Sequence, residues 1–276
     1  MAITYYMLRI SPILLFILMI LPAALFGGLL TYIIRTYLRV KVLRSHNEVT
    51  GFFFTTIASF YALLLGFIIF GVWGQLNDAK NNMSMEGSSA LGLYRDIKFY
   101  PDTLESKQLM NEFLDFVSKV INEEIPDMEK MKINQNTSGS FNNVFYKMEH
   151  LNPKNTFQIQ LVSEMYNHLN QLSTYRGLRT ASIDSEIPPP MWLPIILGAL
   201  ITIVCAVLVD IENKKVHIVL TSLLSVYIAM FLFIIVTLDH PFTGSLRINP
   251  KSYNEVLNLE HLANGASRHS ITYINK

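Results

Sequence analysis

The sequence predicts an all-α integral membrane protein, with four transmembrane helices and a helical extramembrane domain inserted between the second and the third. Three observations carry this expectation. Four stretches, 10–34, 51–76, 187–209 and 216–238, are apolar and contain no Asp, Glu, Lys or Arg. At about 1.5 Å of rise per residue, each is long enough to cross a hydrocarbon core of about 30 Å. The composition, 51% hydrophobic and 16% charged with a mean hydropathy of +0.32, lies on the membrane side of a soluble domain's balance. The polar stretch between the second and third runs repeats with a helical rather than a strand period.

The first run, from Ile10 to Ile34, is preceded by Arg9 and followed by Arg35, Arg39, Lys41 and Arg44. Pro22-Ala23-Ala24 resembles a signal-peptide cleavage site, but the apolar run continues beyond it, so a retained helix is expected. Pro22 should loosen that helix, and Gly27-Gly28 should let a neighbour approach closely. The second run, GFFFTTIASFYALLLGFIIFGVWGQL, carries glycines at 66, 71 and 74 and hydroxyls at Thr55, Thr56, Ser59 and Tyr61. It leads through Trp73 and Gln75 into a charged continuation.

The extramembrane domain is expected over 77–186. Leu76, Ala79, Met83, Glu86, Ala90, Leu93 and Ile97 step by three and four, placing them on one face of a helix that prolongs the second span. Glu86 interrupts this apolar seam. Two readings stay open: a wet seam with Glu86 solvated, or a pair with Arg95, Arg176 or Arg179 holding the domain in register. Pro101 closes the helix, and Asp102 or Thr103 caps a second one that Pro126 stops. The segment INQNTSGSFNN, 133–143, reads as a flexible loop. A third helix follows Asn155 and ends near Arg179.

Pro188-Pro189-Pro190 can begin a helix but not continue one, and the third span follows over 187–209. Gly198, Thr202 and Cys205 would give it a small-residue packing face. The polar turn 210–215 leads to the fourth span, with His217 at its edge and read as interfacial. The tail, 239–276, should hold a short amphipathic helix begun by Asn249-Pro250 and carrying Val256, Leu257, Leu259 and Leu262. The single cysteine, Cys205, permits no intrachain disulfide.

Several functions are disfavoured. A net charge of +1 with no basic stripe argues against nucleic-acid binding. No phosphate-binding loop, dinucleotide fingerprint, nucleophile elbow or zinc-protease helix is present, so no enzyme and no cofactor is expected. The seven histidines lack the spacing that places two ligands on one helical face, so no metal is expected. No span contains a carboxylate, lysine or arginine, which counts against a proton-coupled pump. A pore or a scaffold remains. Ser59, Leu63 and Phe67, at i, i+4 and i+8, share one face of the second span, which suits either a water path or ordinary packing.

The chain resembles the bestrophin-like domain family, bacterial membrane proteins of unassigned function, over residues 10–260. The residues that carry the resemblance begin with His46-Asn47, Tyr61, Leu65-Gly66-Phe67 and Trp73. They continue through Glu86, Ala90 and Tyr94-Arg95-Asp96, then Arg179, Pro188 to Trp192, and Leu238-Asp239-His240-Pro241-Phe242-Thr243-Gly244. More distantly, Leu65-Gly66-Phe67 with Trp73 and Gln75 is similar to the pore-lining second helix of the bestrophin anion channels. Pro241-Phe242 with Gly244 resembles the segment after their last span.

The resemblance implies an oligomeric anion (chloride) channel in the bacterial inner membrane, its second helices lining the axis and Ser59, Leu63 and Phe67 at the neck. It also implies a structural or gating role for Glu86, Arg95, Arg179, Asp239, Pro241, Phe242 and Gly244, with inorganic anions and a homo-oligomer as partners in the lipid bilayer. Where bestrophins place calcium-binding acids, this chain has Ser245-Leu246-Arg247-Ile248-Asn249, so calcium gating is not expected. Orientation stays open. The density of basic residues in 35–44 and 214–215 puts the polar domain outside the cytoplasm, whereas the resemblance puts it inside. The alternative to a channel is a non-conducting membrane scaffold or sensor whose polar domain binds a partner.

Overall fold

The computed structural model describes residues 2–38, 44–101, 103–134 and 136–274, with side chains from residue 4 to 262 outside 38–46, 102 and 135. The basic positions Arg39 and Lys41, the capping candidate Asp102, and the side chains of Arg44, His46 and His269 lie outside the described residues. In chain order the α-helices are α1 (Ala2–Leu8), α2 (Pro12–Ile33), α3 (Arg44–Phe99), α4 (Leu104–Lys119) and α5 (Ile125–Met128). They continue with α6 (Asn136–Glu149), α7 (Thr156–Ala181), α8 (Trp192–Leu208), α9 (Lys214–Leu238) and α10 (Lys251–Ile274). Among the described residues there is no strand, so the fold is all-α. Four helical stretches are long and apolar enough to cross a membrane: Pro12–Tyr37, Asn47–Phe99, Pro189–Leu208 and Lys214–Leu238. The chain forms two compact units, one of residues 1–76, 185–240 and 244–246, the other of 77–184, 241–243 and 247–276.

In the first unit, Ser11 caps α2 by accepting from the Leu14 N–H, and Pro12 occupies the first turn, where its missing N–H costs nothing. The helix runs through Pro22 to Ile33 and ends in one π-helical turn, Ile34–Leu38. Its partner is α9, met across small residues. A Cβ on Gly27 would lie 2.2 Å from Ser225 Oγ, and one on Gly28 would lie 2.7 Å from Ser222 Oγ. The buried hydroxyls are satisfied within their own helices, Thr31 donating to Gly27 O and Ser225 to Thr221 O, while Thr31 also meets Thr221 at 2.7 Å. This is how membrane helices pack without a hydrophobic driving force.

The first part of α3 buries Tyr61, Leu65, Ile68 and Val72 against Ile195, Ala199 and Ile203 of α8 and Ile228 and Ile235 of α9. Gly198 is where α8 comes closest, since a Cβ there would meet the Tyr61 ring at 2.5 Å. The Tyr61 hydroxyl donates to Ile195 O at 3.0 Å. At one end of these spans Arg35 pairs with Asp210 and donates to Ile211 O, and Asn47 exchanges two hydrogen bonds with the Asp210 backbone. His217, at the start of α9, is fully buried, with Nε2 hydrogen-bonded to Ala206 O at 3.1 Å.

In the second unit, the seam residues Ala79, Met83, Glu86, Ala90, Leu93 and Ile97 are all buried. Thr103 and Ser106 form a reciprocal capping box at the start of α4. Contrary to expectation Pro126 does not stop the helix: α4 passes through a π-helical turn, Val120–Glu124, into α5, where the proline sits harmlessly in the first turn. The loop expected over 133–143 is largely helical. Asn134 Oδ1 accepts from the N–H groups of Asn136 and Thr137 to start α6, and Thr137, Phe141, Val144 and Met148 are buried at steps of four, three and four. The period was present but masked by Gly, Ser and Asn, which have low helix propensity. Nor is the C-terminal helix short. α10 extends over Lys251–Ile274 and buries Tyr253 and Val256, while Leu259 and Leu262 are exposed.

Candidate functional site

Three arrangements bear on function. The first is the outward face of the second span. Tyr61, Leu65, Ile68 and Val72 set its packed side. At about 100° per residue, Ser59, Leu63 and Phe67 fall within about 60° of the point opposite Tyr61. All three are exposed within one subunit, Leu63 at 56% and Phe67 at 69%, and Ser59 donates to its own helix at Thr55 O. Gly66, Gly71 and Gly74 likewise have no heavy atom near a would-be Cβ. Beside this face lies a recess of about 340 Å³ lined by Ser59, Tyr61, Thr202, Tyr227 and Phe231 among others.

The second is a largely buried charge cluster. Arg179 of α7 is fully buried; its Nη2 donates to Glu86 at 2.9 Å, its Nε reaches the other oxygen at 2.5 Å, and Nη2 also reaches Glu124 at 2.5 Å. Tyr253 of α10 donates its hydroxyl to Glu86 at 2.7 Å. Arg176 grips the second Glu124 oxygen at 2.9 Å and stacks on Phe116 and Phe141. Burial pushes the Glu124 carboxyl up, but the charge of Arg179 and the hydrogen bond from Arg176 outweigh it and hold the group below its ordinary value. Burial also works against the Arg179 charge, and the neighbouring Glu86 overrides it, so the guanidinium holds its proton more tightly than usual.

The solvated reading of Glu86 is therefore overturned, and among its candidate partners the structure selects Arg179. Arg95 is exposed and takes no part. Paired, hydrogen-bonded carboxylates are the form in which charge survives burial.

The third is the corner after the fourth span. Asp239, 2% exposed, accepts from the Ile187 N–H at 2.8 Å, and His240 hydrogen-bonds Thr4 at 3.0 Å. Burial pushes the Asp239 carboxyl up and the His240 imidazole down from their ordinary values. Gly244 has φ +86°, a left-handed conformation that suits glycine, and packs against Leu8. Pro241 accepts from Ile248 N at 3.2 Å, and Phe242 is buried.

The model of the Bestrophin-like domain family matches residues 21–253. The chain belongs to the bestrophin-like domain family. Among solved structures it is similar to the crystal structure of a bacterial bestrophin homolog from Klebsiella pneumoniae carrying a point mutation. The TM-score is 0.57 at 14% identity, covering 87% of this chain and 96% of that one. At that identity the likeness is one of fold. No curated protein matches the chain.

As a bestrophin-like membrane protein the chain departs from a calcium-binding form. The stretch Ser245–Asn249 offers no carboxylate, and among the described residues no three His, Cys, Asp or Glu side chains converge on a point. That stretch does not supply the clustered carboxylates of a calcium site. Of the expected site residues, only Glu86 and Arg179 meet. Glu124 and Tyr253, which complete that cluster, were missed: Glu123 and Glu124 are adjacent rather than facing and so suggest no acid/base pair, and a lone tyrosine in a polar tail carries no signal beyond its spacing to Val256.

Proposed function

We propose that this bestrophin-like protein is an anion pore formed by a symmetric oligomer in the bacterial inner membrane, with α3 of each subunit lining the axis. The observation that carries the reading is the unpacked face of the second span. A membrane helix facing only lipid has little use for glycines at 66, 71 and 74 on surfaces that meet nothing in their own subunit, or for an exposed hydroxyl at Ser59 beside an open recess. In an oligomer that face supplies a constriction of Leu63 and Phe67 relieved by a serine, a form that conducts without intramembrane charges and gates by dewetting. The absence of Asp, Glu, Lys and Arg from the four apolar runs is compatible with such a path.

The test is ion flux through liposomes reconstituted with purified protein, comparing chloride with potassium gradients and Leu63→Ala with the parent. Chloride flux that rises at least about threefold on removing the Leu63 side chain supports the reading, since a shorter apolar barrier wets more readily. A monomer by mass measurement, or silence from an assembled oligomer, replaces it with a partner-binding membrane scaffold.

A further inference from the structure

The polar part of α3 also has two sides. One is the buried seam of Ala79, Met83, Glu86, Ala90, Leu93 and Ile97. At about 100° per residue, Asn77, Asn81, Ser84, Ser88 and Arg95 fall within about 40° of the point opposite Ala79. Asn81, Ser84, Ser88 and Arg95 are all exposed. The nearest charges on this helix lie to the flanks. Asp78 and Lys80 stand one residue to either side of the buried Ala79 and are exposed. Further along, Asp96 is held by His168 at 2.7 Å and Lys98 by Glu260 at 3.3 Å. Among the described residues Arg95 has no hydrogen-bond or ion-pair partner. The exposed face is thus uncharged and polar over three helical turns; one turn further on Gly92 is covered by the His168 ring of α7, and Arg95 then stands exposed beside it.

We infer that Arg95 is the residue that selects for anions in this protein, a cation repeated once per subunit on the outward face of the polar part of α3. The inference rests on the proposed function and deepens it. In this unit the buried Arg179 and the largely buried Arg176 are paired with carboxylates, whereas Arg95 is exposed and has no such partner among the described residues. Asparagine and serine on the same face hold water without binding either sign of ion. A ring of such charges raises the local anion concentration and the rate of anion entry, and repels cations. Because the charge is exposed, its reach is set by screening, so the effect must shrink as salt is added.

The experiment is single-channel recording in planar bilayers with the full-length parent, Arg95→Gln, Arg95→Glu and Arg95→Lys, each first shown to have the parent's oligomeric mass. In about 20 mM salt, where the screening length is long, Arg95→Gln should lower anion conductance at least about threefold, and in about 1 M salt the two should converge. Arg95→Lys should behave as the parent. Arg95→Glu should move the reversal potential in a salt gradient toward the cation value. Equal conductance and reversal potential in parent and Arg95→Gln at low salt would overturn the inference while leaving the pore reading intact. A parent that does not conduct would sink both, and loss of the oligomer in Arg95→Gln would make Arg95 an assembly contact instead.

Discussion

Arg179 shows how a single side chain can decide whether a domain holds together. Its guanidinium is fully buried between Glu86 and Glu124, and removing it leaves the buried Glu86 with only the Tyr253 hydroxyl and Glu124 with Arg176 alone. Arg179→Met should therefore cost about 3–5 kcal/mol, read as a lower thermal unfolding midpoint of the detergent-solubilised protein. Tyr253→Phe removes one hydrogen bond to a charged acceptor and should cost about 1.5–3 kcal/mol. The same cluster predicts a pH dependence. Glu124 is held below its ordinary carboxylate value in the folded protein, so its contribution is full above the unfolded pKa, near 4.5, and is lost as the pH falls through the lower folded value. Unfolding followed between pH 7 and 3 should show that loss at the acid end, and Arg176→Gln should shift its onset to higher pH. Half of this cluster was legible beforehand. Glu86 broke an otherwise apolar seam, and a carboxylate there demands a partner. The identity of the partner was not legible, because Arg95, Arg176 and Arg179 were equally good by type and only the packing of α7 against α3 selects one.

For the helices, the decisive positions are those where backbones come close. Gly198 faces the Tyr61 ring and Gly27 faces Ser225 and the Thr221 carbonyl, so a methyl group at either has nowhere to go. Gly198→Ala and Gly27→Ala should each destabilise by about 1–3 kcal/mol in thermal unfolding. Gly66→Ala and Gly71→Ala offer a contrast, since nothing in the subunit opposes them. They should be neutral or gain up to about 1 kcal/mol in monomer stability from helix propensity alone. If they also lower the oligomeric mass, their glycines serve contacts between subunits. The spans were the easiest elements to read, because an apolar run of that length has few other fates. α6 was the hardest: its buried Thr137, Phe141, Val144 and Met148 keep helical spacing, yet its composition belongs to loops, and tertiary packing overrode propensity. The extension of α10 was hidden for the opposite reason, as Leu259 and Leu262 drew attention to a face that the fold leaves exposed.

For the molecule as a whole, the pore reading requires that subunits of 31.5 kDa assemble. Light scattering or native mass spectrometry of the solubilised protein should return a whole-number multiple greater than one of that mass, with Leu63→Ala unchanged in assembly and altered only in flux. The family and the fold class could be read from dispersed residues because those residues mark span boundaries and turns. What passes through the assembly could not, since conduction depends on surfaces that only meet when subunits do.

The placing of Tyr253 also bears on the order in which the protein is made. The phenol that closes the Glu86–Arg179 cluster comes from the last helix of the chain, 167 residues after the carboxylate it serves. A ribosome adding about 5–20 residues per second delivers Glu86 and Arg179 many seconds before Tyr253 and the buried Val256 exist. The core of the polar unit therefore cannot close before residues 253 and 256 have been made, and a message cut short before codon 253 yields a product whose four spans are whole but whose polar unit lacks the phenol that completes the cluster.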